Sequence, residues 1–153
     1  MIRKLGLATA IAGTLDLVAN FILWGAWKQV PPIRICQSIA SGIYGKAAFD
    51  GGYVTAAVGV VAHFVIMLIM AIGYYVIVSL SKWARAHWGI TAVVYGLVLW
   101  AVMNYAVVPM SAAARPYPWP IVWDVKLAFN LFCHIGLVGF VFALVFRRSE
   151  SSR

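Results

Sequence analysis

The chain has 153 residues, 64% of them hydrophobic and 10% charged, with a mean hydropathy of +0.92, where a soluble domain carries roughly a quarter charged residues. That balance argues against a soluble domain and predicts an integral membrane protein made of spans and short connections. The net charge of +8 flanks several apolar runs without forming a recognisable binding module, so the bilayer is the expected partner and nucleic acid is not.

Four apolar runs of about 20 residues, each long enough to cross the hydrocarbon core, predict an all-α membrane protein. Its expected form is four transmembrane helices in an antiparallel bundle, one integral-membrane domain over residues 1–153. The first span is placed at residues 5–27. It follows Met-Ile-Arg-Lys, but it carries Asp16 and Asn20 and ends in Trp24 and Trp27, which predicts a retained helix rather than a cleaved signal.

Pro31 and Pro32 stop that helix. The next stretch reads QSIASGIYGKAAFDGG from Gln37 to Gly52. Cys36, Ile39 and Ile43 recur at steps of three and four, while Gln37, Ser38, Ser41 and Lys46 fall mostly elsewhere. This predicts a short amphipathic helix over about residues 33–46 in the first outer loop. It is expected to cap the outer mouth of the bundle or lie flat at the interface. Gly51 and Gly52 then let the chain turn.

Span two, at residues 53–80, carries Thr55, Gly59, His63, Met67, Met70 and Tyr74 as a stripe at helical spacing. Lys82 and Arg85 mark a short basic loop, and span three covers residues 88–110 with Trp100, Asn104 and Ser111 on one side. PYPWP, residues 116–120, predicts a stiff extended connection. Span four, at residues 121–146, places Lys126, Asn130 and His134 at successive steps of four. Small residues four apart, Ala8/Ala12, Ala92/Gly96 and Gly139/Ala143, are expected to bring helices close.

Arg3, Lys4, Lys82, Arg85, Arg147, Arg148 and Arg153 flank one side of these spans, and Lys28, Arg34, Lys46, Arg115 and Lys126 the other. The excess on the first side predicts that both termini are cytoplasmic. Trp24, Trp27, Tyr53, Tyr117, Trp119 and Trp123 then form the outer aromatic belt, and Trp83 and Trp88 the inner one. Two cysteines, Cys36 and Cys133, are too few for a disulfide framework and are read as free thiols.

Counted from the outer ends, Asn20, Asn104 and Asn130 lie about two turns down, and Asp16, His63 and His134 about three. A buried polar cluster of these six residues is the expected site. Such a cluster either fixes helix pairing by hydrogen bonds or handles protons and solutes, because intramembrane Asp and His commonly line pathways.

Three chemistries compete with that reading. His63 and His134 on different spans form a candidate ligand pair for a b-type haem, with Arg115 or Lys126 available to propionates. Copper is a weaker reading: His63, Met67 and Met70 share a face, with Met103, Cys133 and His134 elsewhere, but no compact ligand motif occurs and no metal is expected. HExxH, Walker and GxSxG signatures are absent, and a non-enzyme is expected.

The run AHFVIMLIMAIGYYV, the basic loop after it, HWGITAVVYGLVLWAVMNYAVVPMSA, NLFCHIGLVGF and the Arg-Arg end together resemble the YagU-like group of small bacterial inner-membrane proteins. The likeness spans roughly the last two thirds of the chain; the first loop is shorter and different. His63, Pro109 and His134 are the matching positions. The resemblance implies a bacterial inner-membrane location and a loose link to acid tolerance, without a mechanism. From the buried polar cluster, transport or proton-linked sensing is the expected role, with a haem-binding electron carrier or a structural subunit of a larger complex as alternatives. A homo-oligomer is compatible with all three.

Overall fold

The computed structural model describes residues 1–114 and 121–147. Arg115, the PYPWP segment with Tyr117 and Trp119, and Arg148 and Arg153 lie outside the described residues. Among those described, every regular element is helical and none is a strand.

Four helices are long and apolar enough to cross a membrane: α1 (Ile2–Lys28), α3 (Gly52–Leu80), α5 (Trp88–Met110) and α6 (Val125–Arg147). At about 1.5 Å per residue, the 27 residues of α1 rise about 40 Å, more than the roughly 30 Å of hydrocarbon. Between them lie α2 (Pro32–Tyr44), a 3₁₀ turn (Gly45–Phe49) and the short α4 (Lys82–Ala86).

Local chemistry sets the helix ends. Beyond Lys28, Gln29 turns to positive φ (53°), and the two prolines that follow have no N–H with which to extend the helix. α2 starts on Pro32 and stops at Gly45, whose φ of 58° suits glycine. Ser81 Oγ accepts the Ala84 N–H at 3.1 Å and starts α4. α6 begins at Val125, four residues after the expected 121, because Asp124 Oδ1 caps the Leu127 N–H at 2.8 Å. Apolarity alone made residues 121–123 look helical.

Two spans contain π-helical turns, Met103–Val107 in α5 and Cys133–Gly139 in α6. The first precedes Pro109, which has no N–H and whose ring would crowd the carbonyl of residue 105; the wider turn relieves both problems. No proline explains the second.

The contacts divide into two compact units. One holds Met1–Asp16, Ile66–Trp100 and the chain from Trp123 on. In it α5 and α6 meet backbone to backbone. A Cβ added at Gly96 would lie 2.6 Å from Ile135 Cα and 2.7 Å from the His134 carbonyl oxygen, and one at Gly139 would overlap the Ala92 carbonyl. The Ala92/Gly96 and Gly139/Ala143 pairs thus sit at a contact only small residues permit. Tyr74 is 1% exposed and packs its ring against Tyr95, Phe142 and Phe146. The Tyr95 hydroxyl donates to the Met70 carbonyl at 2.6 Å. Tyr95→Phe is expected to cost about 1 kcal/mol, read from thermal unfolding in detergent.

The other unit holds Leu17–Val65 and the end of α5 from Ala101. Here α2 is tied to its neighbours on both flanks. Gln37 Nε2 donates to the Gly52 carbonyl at 3.0 Å, Arg34 Nη1 to the Phe49 carbonyl at 2.8 Å, and the Ala112 N–H to the Gly42 carbonyl at 3.0 Å. Thr55 Oγ1 donates to the Ala48 carbonyl at 2.6 Å and holds the 3₁₀ turn on α3.

The buried face of α2 shows which edge turns inward, a point the sequence leaves open. It consists of Ile35, Cys36, Gln37, Ala40 and Ser41, whereas Ile43 is 56% exposed. The helical segment also ends at Tyr44, with Lys46 in the 3₁₀ turn rather than in a helix running to 46. In water the apolar edge of a helix turns inward. Here small and polar residues join Ile35 on the inward face, since they permit close backbone approach and find hydrogen bonds, and Ile43 is left outward. The same inversion puts Leu7, Ile11, Leu15, Val18 and Ile22 of α1 outward at helical spacing.

Candidate functional site

Within the first unit, one polar centre joins α1 to α6. Asp16 is the only acid among the described residues that lies inside a span: Asp50 precedes α3 and Asp124 caps α6. The Cys133 thiol donates a hydrogen bond to the Asp16 carboxylate, and the same carboxylate interacts electrostatically with His134. Cys133 is 3% exposed, and Asp16 and His134 are half-buried.

The His134 ring is oriented by its own helix. Nδ1 lies 2.8 Å from the Asn130 carbonyl. A carbonyl only accepts, so Nδ1 carries the hydrogen and Nε2 is the nitrogen left to take up a second proton. Cys133 and His134 open the π turn of α6, a distortion often found at functional sites. Gly96 lets the α5 backbone rest against the His134 carbonyl, which frames the site from a third helix.

Of the six residues expected to cluster, Asp16, Asn130 and His134 belong to this unit, and Asn20, His63 and Asn104 to the other. His63 is 8% exposed, with its ring edge-on to Phe64 at 5.4 Å between centroids. The two histidines of the haem reading thus fall one in each unit. Met67 and Met70, of the copper reading, are 5% and 8% exposed core residues. Lys126, assigned there to a propionate, is exposed.

Cys133 is a free thiol, as the sequence implies; its hydrogen bond to Asp16 is the part of the site that the sequence does not reveal.

Cys36 differs from Cys133 in lying on α2, outside the spans, where burial raises its thiol above the ordinary 9.0. The native state therefore holds this proton longer than the unfolded chain. Its contribution to stability is complete below pH 9 and falls as pH rises through the native value. Maleimide labelling of the native protein at pH 7 is expected to be at least tenfold slower at Cys36 than after unfolding.

Among the described residues, the number, length and apolarity of the helices are those of a multi-pass membrane protein. No protein-family model, curated protein or solved structure matches it.

Proposed function

We propose that the protein is a four-span, antiparallel bundle of the bacterial inner membrane whose Asp16 takes up and releases a proton, in small-solute transport or pH sensing. The contact of Asp16 with Cys133 and His134 carries this reading. An ionised carboxylate inside a span costs at least about 2.5 kcal/mol on insertion scales. A thiol donor and an imidazole beside it offset that cost.

The chemistry is a choice between two proton arrangements. With Asp16 ionised, it accepts from the Cys133 thiol and its charge acts on the neighbouring His134 ring. With Asp16 protonated, it gains a hydroxyl donor, its carbonyl oxygen can still accept from Cys133, and its charge no longer acts on His134. The π turn that carries both partners is the element most readily repacked when the proton moves. In this reading α2 caps the outer end, both termini face the cytoplasm, and the likeness to YagU-like proteins supports the location.

The test is proton uptake into liposomes containing the purified protein, followed with a trapped pH indicator. The wild type is expected to acidify the lumen when the outside is made acidic, and Asp16→Asn is expected to match protein-free liposomes. Equal uptake by wild type and Asp16→Asn removes Asp16 from the pathway.

A further inference from the structure

A second polar feature lies in the same unit and takes no part in the proton reading. A cavity of about 250 Å³ is lined by Lys4 of α1, Arg85 of α4 and Arg147 of α6, with Tyr74, Tyr75, Ser79, Trp88 and Phe146 among its other walls. The described acids are Asp16, Asp50 and Asp124, and none lines it. Three full positive charges from three separate elements thus border one cavity.

Two of the cations are held in place. Arg85 Nη1 donates to the Val78 carbonyl and, at 3.1 Å, to the Ser79 carbonyl in the last turn of α3. The Arg147 guanidinium lies 4.5 Å from the centroid of the Trp88 ring. Neither contact removes a charge. Among the described residues the charged side chains at the cavity are all positive, and the C-terminal turns of α3 and α6 offset them only in part.

This combination fits one class of ligand. A phosphate group matches the cations, and Tyr74, Tyr75 and Ser79 in the lining add hydroxyl-bearing side chains. Trp88, Phe146, Val78, Ala84 and Ala143 in the lining give apolar surface to the part of the ligand that carries the phosphate. The three basic residues belong to the set that the charge bias assigns to the cytoplasmic surface, where anionic headgroups gather. We propose that this cavity binds the phosphate ester of an anionic amphiphile.

The test is native mass spectrometry of the full chain in mild detergent, titrated with phosphatidylglycerol, phosphatidylcholine or inorganic phosphate. One phosphatidylglycerol per chain is expected to bind at least tenfold more tightly than phosphatidylcholine. The double variant Lys4→Gln/Arg147→Gln spares Arg85, which closes the end of α3, and is expected to bind it about thirty-fold more weakly, the loss of two surface cations. Unchanged circular dichroism of that variant excludes unfolding as the cause. Equal binding of the two lipids, or an unchanged affinity in the folded variant, overturns the proposal. Displacement of phosphatidylglycerol by equimolar inorganic phosphate assigns the cavity to soluble phosphate and overturns the amphiphile.

Discussion

Gly59→Ala is expected to destabilise the protein by about 3 kcal/mol, the upper end of what overpacking costs. A Cβ at this position would overlap the Cys36 carbonyl oxygen and sit 3.2 Å from the Ala40 N. Both neighbours are backbone, so no side chain can rotate aside. α2 must lift from α3, which strains the Gln37 bond to Gly52 and the Arg34 bond to Phe49. Gly89→Ala is the matched control. Nothing lies within 4 Å of a Cβ there, and alanine favours the helix by up to about 1 kcal/mol. Thermal unfolding in detergent should therefore separate the two variants in opposite directions from wild type. A Gly59→Ala protein as stable as Gly89→Ala contradicts the close packing of α2 on α3.

Asp16→Asn is expected to abolish the pH response, by at least roughly tenfold in initial proton uptake, while leaving the fold intact. Asparagine keeps the size of aspartate, and its amide oxygen still accepts from the Cys133 thiol. It cannot ionise. Because it removes a charge from a span, the variant is expected to be as stable as wild type or more so. That pairing of undiminished stability with lost response separates a proton-handling role from a structural one. A residue that only held α1 to α6 would lose stability and response together. Asp16→Glu restores the carboxyl on a longer arm and is expected to recover part of the response.

The parts of this architecture legible in the sequence are those with a strong one-dimensional signal. Long apolar runs gave four spans, and Pro31 and Pro32 separated α1 from a helix that lies within two residues of its expected bounds. Counting turns placed Asp16 and His134 at one depth, and both belong to the same polar centre. The contact of Cys133 with Asp16 escaped because a thiol inside an apolar run leaves no pattern. The inward face of α2 was not legible for a different reason: Gln37 and Ser41 look solvent-seeking, yet they are 2% and 1% exposed. In a lipid solvent, polarity marks the inside at least as often as the outside.

Backbone irregularity was less legible still. Pro109 marks the π turn of α5 after the fact, but Cys133–Gly139 contains no proline and reads as plain helix. The basic cavity was hidden because Lys4, Arg85 and Arg147 are far apart in the chain and were fully explained as topology signals. Only three-dimensional proximity gives them a shared purpose.

The most direct test of the account is infrared difference spectroscopy of the reconstituted protein between acidic and neutral pH, on wild type and Asp16→Asn. The account predicts a protonated-carboxyl band that appears on acidification in the wild type and is missing in Asp16→Asn, together with a perturbed Cys133 S–H band. Identical difference spectra from the two proteins would mean that Asp16 does not titrate, and would contradict the proposed proton chemistry.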